Sequence, residues 1–122
     1  MGRALNLSQF QHNVTDGTTT VATTYVTNGS AKAWLDLKGT DTISIDASFN
    51  IASVTDNGTG NYTQTYSNAF SSNDLSFLTS SNGYMTRAYD SQTTYADVRT
   101  YNSAASAGDY SRVHTATFGD LA

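Results

Sequence analysis

The chain has 122 residues, a net charge of −4 and no cysteine, proline or glutamate. That length builds one domain rather than two, and the missing cysteine removes disulfides and thiol chemistry. The six basic residues, Arg3, Lys32, Lys38, Arg87, Arg99 and Arg112, are scattered. No run of them tracks a nucleic-acid backbone or an anionic membrane, and no apolar stretch is long enough for a membrane helix. The start Met1-Gly2-Arg3-Ala4-Leu5-Asn6 lacks the apolar core of a signal peptide. It opens like a myristoylation signal, but Asn6 stands where Ser or Thr is wanted. The expectation is a leaderless soluble product of a cytoplasm, with no nucleic-acid and no membrane partner.

Only 38% of the residues are hydrophobic and 13% charged, so polarity comes from Thr, Ser, Asn and Gly. Thr and Tyr favour strands; Asn, Ser and Gly favour turns. The composition predicts an all-β fold, an antiparallel β-sandwich or barrel-like knob at residues 31–122. Residues 1–30 read as an extended N-terminal arm that attaches the knob, with Asp16-Gly17 as a turn and a short strand around Thr20 to Val26. Asn28-Gly29 is the turn that opens the domain.

From Ala31 to Leu37 the sequence alternates, with Ala31, Ala33, Leu35 and Leu37 on one face and Lys32, Trp34 and Asp36 on the other. After the turn Lys38-Gly39-Thr40-Asp41, a second strand puts Ile43, Ile45 and Ala47 together on one face. Phe49, Ile51 and Val54 continue a third, and the change of apolar spacing after Ile51 predicts a bulge. Asp56-Asn57-Gly58-Thr59-Gly60-Asn61 is the strongest turn, a hairpin with Gly58 or Gly60 at positive φ. Further strands are expected at Tyr62 to Tyr66, Leu75 to Thr79, Tyr84 to Tyr89, Tyr95 to Tyr101 and Arg112 to Phe118. Strands recurring this often between polar turns indicate an antiparallel sandwich or barrel.

Candidate chemistry is sparse. His12 falls in the arm and His114 in the last strand, and spacing proposes neither a Ser-His-Asp arrangement nor a carboxylate pair, so no catalytic residue is assigned. The Asp56 turn offers oxygens at alternating positions, but a calcium site needs six to eight oxygens and a distal bidentate carboxylate, so the hairpin reading is preferred. The two histidines are far apart in sequence and make no zinc site. No metal or cofactor is expected. Asn-X-Ser/Thr sequons such as those at Asn13, Asn28, Asn57 and Asn61 follow from the composition. Tyr84, Tyr89, Tyr95, Tyr101 and Tyr110 cluster in the C-terminal half. They are a candidate surface for stacking sugars, against the alternative that Tyr simply packs half-buried strands. Trp34, alone on the face opposite Leu35 and Leu37, is a candidate contact with a second layer or a neighbouring subunit, because leaving it in water wastes apolar area.

The block Ala31-Lys32-Ala33-Trp34-Leu35-Asp36-Leu37, then Gly39-Thr40, then Ser48-Phe49-Asn50-Ile51-Ala52-Ser53-Val54-Thr55-Asp56-Asn57-Gly58-Thr59-Gly60-Asn61-Tyr62-Thr63 resembles a β-domain of virion and tail-fibre-type proteins of tailed phages, notably marine and cyanobacterial ones. The resemblance covers Ala31 to Tyr66, is loose from Phe70 to Tyr110, and returns weakly at Val113 to Gly119. It implies a non-enzymatic structural role, a homotrimer and assembly into a virion in the host cytoplasm, with the loose region varying with the target. Three functions fit: a capsid decoration or head-fibre knob held to the major capsid protein by residues 1–30, a tail- or collar-fibre tip that meets a host surface glycan, and a free carbohydrate-binding module. Only about thirty residues precede the domain, too few for a fibre stem, which favours the knob. A secreted module is disfavoured by the missing export signal.

Overall fold

In the computed structural model, which describes residues 13–15 and 20–122 (side chains from residue 20 onward), the chain divides into two compact units, Met1–Ser30 and Ala31–Ala122. In the first unit, β1 (Asn13–Thr15) pairs antiparallel with β2 (Thr20–Ala22), with Val14 opposite Val21. The strand expected from Thr20 to Val26 stops at Ala22, and α1 (Thr23–Gly29) replaces its second half. The Thr27 hydroxyl donates to Thr23 O at 3.0 Å, so a residue with strand propensity is accommodated by bonding back one helical turn. No residue of α1 is buried, and Tyr25 is 76% exposed. His12 lies outside the described residues.

The second unit is all-β. Its strands are β3 (Ala33–Lys38), β4 (Ser44–Phe49), β5 (Ile51–Asp56), β6 (Asn61–Tyr66), β7 (Ser76–Ser81), β8 (Met85–Ser91), β9 (Tyr95–Tyr101) and β10 (Val113–Phe118). They form two four-stranded antiparallel sheets that pack as a sandwich, one in the order β4-β3-β10-β7 and the other β5-β6-β9-β8. The chain passes from the first sheet to the second at Asn50, which has φ +56. Its amide Oδ1 accepts the Asn68 backbone N–H at 2.7 Å, and its Nδ2 donates to Asn68 O at 3.1 Å. Asn tolerates this left-handed conformation because its short side chain bonds nearby backbone.

The alternation expected for β3 is present: Ala33, Leu35 and Leu37 are buried, while Trp34 is 41% exposed on the other face. The strand β4 departs from expectation. Leu37 faces Ile45, Asp36 faces Ala47, and a bulge at Asp46 separates the two pairs. Ile45 and Ala47 therefore lie on opposite faces, and Phe49 follows Ala47 to the outside. A one-residue slip of this kind moves every later side chain to the other face. The bulge expected after Ile51 occurs between Ile51 and Ser53.

Leu35, Leu37 and Val113 of the first sheet meet Tyr62 and Val98 of the second, with Ile43, Ile51, Val54 and Phe77 packed around them. A second cluster joins Ala33, Tyr66, Phe70 and Ala96, with the Tyr66 and Phe70 rings edge-to-face at 4.8 Å. Hydroxyl groups stitch the sheets across this core. Thr115 donates to Gln64 Oε1 at 2.6 Å, and Tyr66 shares a hydrogen bond with Thr117 at 3.1 Å. A buried hydroxyl is tolerated when paired, which lets so polar a sequence fill an interior. Strands β9 and β10 supply Ala96, Val98, Thr100, Val113, Thr115 and Thr117 to this interior. The region after Tyr66 therefore supplies about half of the sandwich.

Tyr62 ties the sheets at one end. Its hydroxyl donates to Gly39 O and to Asp109 Oδ1, both at 2.8 Å, and Asp109 Oδ1 also accepts the Gly60 N–H at 2.6 Å. Burial, reinforced by the Asp109 carboxylate, pushes the Tyr62 hydroxyl well above the ordinary phenol range. In the hairpin of β5 and β6, Gly58 and Gly60 have φ +113 and +61, as the turn composition predicts. At Gly60 an added Cβ would sit 2.5 Å from Thr100 O, so only glycine lets these backbones approach.

Candidate functional site

Each sheet buries one face and leaves the other outward, and the two outward faces differ in chemistry. On the first sheet, register aligns one residue from each strand across the whole width: Phe49 on β4, Trp34 on β3, Ala116 on β10 and Leu78 on β7. Phe49 is 54%, Trp34 41% and Leu78 58% exposed. The second layer of the sandwich covers the Leu35 face, so among the described residues nothing covers Trp34 from that layer. Sequence alternation identified Trp34 but not its row. Phe49 joins it only through the β4 bulge, and Leu78 through pairing with Ala116, 38 positions later in the chain.

Beside this apolar row runs a polar one, Asp36, His114 and Ser80, which ends at Ala47 on β4. His114 Nε2 lies 3.0 Å from Asp36 Oδ1, and its Nδ1 lies 3.5 Å from Ser80 Oγ. Arg112 donates to Asp36 Oδ2 at 3.0 Å. Spacing along the chain offered no such Ser-His-Asp row, since three strands from distant positions assemble it. The depression at the row, lined by Leu78, Thr79, Ser80, His114, Thr115 and Ala116, measures about 180 Å³. The Ser80 contact is at the outer limit of a hydrogen bond, and Asp36 is shared between Arg112 and His114.

On the second sheet the outward face is aromatic and charged. Tyr95, Asp97, Arg99 and Tyr101 of β9 all point outward, alternating with buried Ala96, Val98 and Thr100. Arg99 stands directly opposite Arg87 of β8 and opposite Asn61 of β6. The Arg99 guanidinium stacks over the Tyr89 ring, 3.3 Å from its centroid, and the Arg87 guanidinium lies 5.8 Å from the same ring. Tyr95 donates to Asp90 Oδ2 at 3.1 Å, and Gln92 Nε2 donates to Asp90 Oδ1 at 2.8 Å. The Gln92 bond first, then the Tyr95 bond, hold the Asp90 carboxyl below the usual carboxylate range. Thr63 donates to Asp97 Oδ1 at 2.6 Å.

The five tyrosines singled out from sequence thus divide. Tyr89, Tyr95 and Tyr101 share this outer face. Tyr84, 74% exposed, sits in the turn before β8, beside a depression lined by Thr79, Ser81, Gly83 and Thr86. Tyr110 is a packing residue: an added Cβ on Gly83 would lie 2.4 Å from its ring, and its hydroxyl donates to Tyr101 O at 3.1 Å. In the Asp56 turn, Asp56 Oδ1 accepts the Gly58 N–H at 2.9 Å and Asn57 Nδ2 donates to the Thr63 hydroxyl at 2.8 Å, so these side chains serve the turn and its neighbouring strand. Among the described residues no three metal-ligating side chains come together, and no helix is long and apolar enough to cross a membrane. No protein-family model, no curated protein and no solved structure matches the chain.

Proposed function

We propose that this protein is a non-enzymatic structural component of a tailed-phage virion: a homotrimeric knob that decorates the capsid, held to the major capsid protein through residues 1–30. The observation that carries the reading is the row Phe49, Trp34, Ala116 and Leu78 on the outward face of the first sheet. A face this apolar, in a chain so poor in hydrophobic residues, is better covered by another copy of the same chain than left in water. The block with the phage-domain resemblance supports the same reading. It spans β3 to β6, two adjacent strands of each sheet, and so forms a coherent half-sandwich. The exposed Tyr25 and Val26 of α1 give the N-terminal segment apolar groups for attachment. The row of Ser80, His114 and Asp36 favours a structural role over catalysis, because Asp36 is shared with Arg112 and the Ser80 contact is long.

A second reading, the tip of a tail or collar fibre that meets a host glycan, is favoured by one observation, the stacked arginines and tyrosines on the second sheet. Counting copies per purified particle by quantitative mass spectrometry separates the two. Symmetric assembly predicts on the order of hundreds of copies for a capsid knob and about a dozen to a few dozen for a fibre. Absence from particles contradicts both.

A further inference from the structure

Arg87 and Arg99 are directly opposite each other on adjacent strands. Like charges in that position repel and destabilise a sheet. Among the described residues neither guanidinium has an ion pair: the carboxylates of Asp36 and Asp41 pair with Arg112, His114 and Lys38 on the other sheet. Two of the six basic residues are thus set side by side without an ion pair among the described residues. Two carboxylates of this face are committed elsewhere, Asp90 to Tyr95 and Gln92, Asp97 to Thr63. Arg99 Nε is buried and has no hydrogen-bond partner.

Stacking explains part of this and leaves the rest. Tyr89 takes the flat face of the Arg99 guanidinium through a cation–π contact. The N–H donors of a guanidinium lie in its plane, so the stack does not use the two terminal Nη groups, which can meet a carboxylate in the bidentate manner. Alongside Arg99 a depression of about 200 Å³ is lined by Thr59, Gly60, Asn61, Tyr101 and Ala107. It offers an aromatic ring and an amide next to the Arg99 guanidinium. An inorganic anion would use the two cations and leave the rings and the amide idle. A sugar ring carrying an acid group uses all of them: the acid meets the arginines, its C–H face meets Tyr101, and its hydroxyls meet Asn61.

We infer that the outward face of the second sheet, centred on Arg99, Arg87, Tyr89 and Asn61, binds an acidic saccharide through its carboxylate. This rests on the reading of the protein as an exposed particle component and names the class of glycan it meets. The test titrates the full chain with a short oligogalacturonate, a neutral malto-oligosaccharide of the same length, and inorganic phosphate, following backbone amide shifts by NMR. The oligogalacturonate shifts the amides of β8 and β9, and the neutral sugar binds at least about tenfold more weakly, the order of one lost charged hydrogen bond. Arg87→Gln and Arg99→Gln each weaken uronate binding by a similar factor. Arg99→Lys, which keeps the charge and loses the fork, separates a binding effect from a folding one: it retains the wild-type melting temperature and loses most of the affinity. Equal binding of the neutral sugar, equal binding of phosphate, or wild-type affinity in both glutamine variants overturns the inference. Failure here with the protein still found on particles removes the sugar site and leaves the knob. Absence from particles with uronate binding intact removes the knob and leaves the site.

Discussion

Trp34 stands directly opposite Phe49 on the outward face of the first sheet, a pairing that exists only because β4 carries a bulge at Asp46. Without the bulge, Phe49 would fall on the buried side and Trp34 would be an isolated aromatic. The bulge converts one exposed ring into an aromatic pair, and β10 and β7 extend the pair to Ala116 and Leu78.

If that row is the contact between copies, removing it separates subunits without unfolding them. Trp34→Ala combined with Phe49→Ala is expected to sediment as a monomer. The isolated subunit should lose only about 1 kcal/mol of stability, the scale of one exposed cross-strand aromatic pair. Sedimentation equilibrium and chemical denaturation of the same sample read the two effects separately. Unchanged mass would remove Trp34 from the interface.

The hydroxyl stitches between the sheets give a second expectation. Thr115→Val keeps the shape of the side chain but leaves Gln64 Oε1 buried without its donor. The expected cost is about 1–3 kcal/mol, read as a lower urea midpoint with unchanged slope. A neutral result would mean that Gln64 finds another partner or water.

Gly60 is expected to be intolerant of any side chain. Its φ is +61 and an added Cβ meets Thr100 O at 2.5 Å, so both the backbone conformation and the space exclude alanine. Gly60→Ala should cost about 2–4 kcal/mol, whereas Gly58→Ala, with nothing within 4 Å, bears only the conformational penalty and should cost less.

Stability should fall in alkali in a way that depends on Tyr62. Its folded-state pKa is raised above the ordinary value of 10.0 by burial and by Asp109. A raised pKa favours the folded state below the unfolded pKa, and that contribution is lost as pH rises from about 10 toward the folded value. Tyr66, raised by burial, acts in the same direction. Tyr62→Phe should be less stable near neutrality, having lost its bonds to Gly39 and Asp109, but should show a shallower decline above pH 10. Thermal unfolding measured from neutral pH into alkali checks both halves.

Periodicity made most of the scaffold legible. Alternation in Ala33 to Leu37 and in Tyr95 to Tyr101, and the glycines of the Asp56 turn, are local signals, and the strands and the turn lie where those signals put them. The helix α1 was not legible, because Thr23-Thr24-Tyr25-Val26 carries strand propensity and no capping residue marks its start. The side assignments of Ala47 and Phe49 were hidden for a different reason: a bulge is a one-residue shift in pairing, and composition does not encode it. The candidate surfaces were partly visible. Trp34 and the tyrosines announce themselves by residue type. The opposition of Arg87 and Arg99, and the row of Asp36, His114 and Ser80, depend on cross-strand register between distant segments, which no spacing along one strand reveals.

The most direct test of the central claim is the mass of the full chain in solution by sedimentation equilibrium at near-physiological salt. A homotrimeric knob predicts about 39 kDa, three times the 13.0 kDa chain. A single species at 13.0 kDa across the accessible concentration range contradicts it.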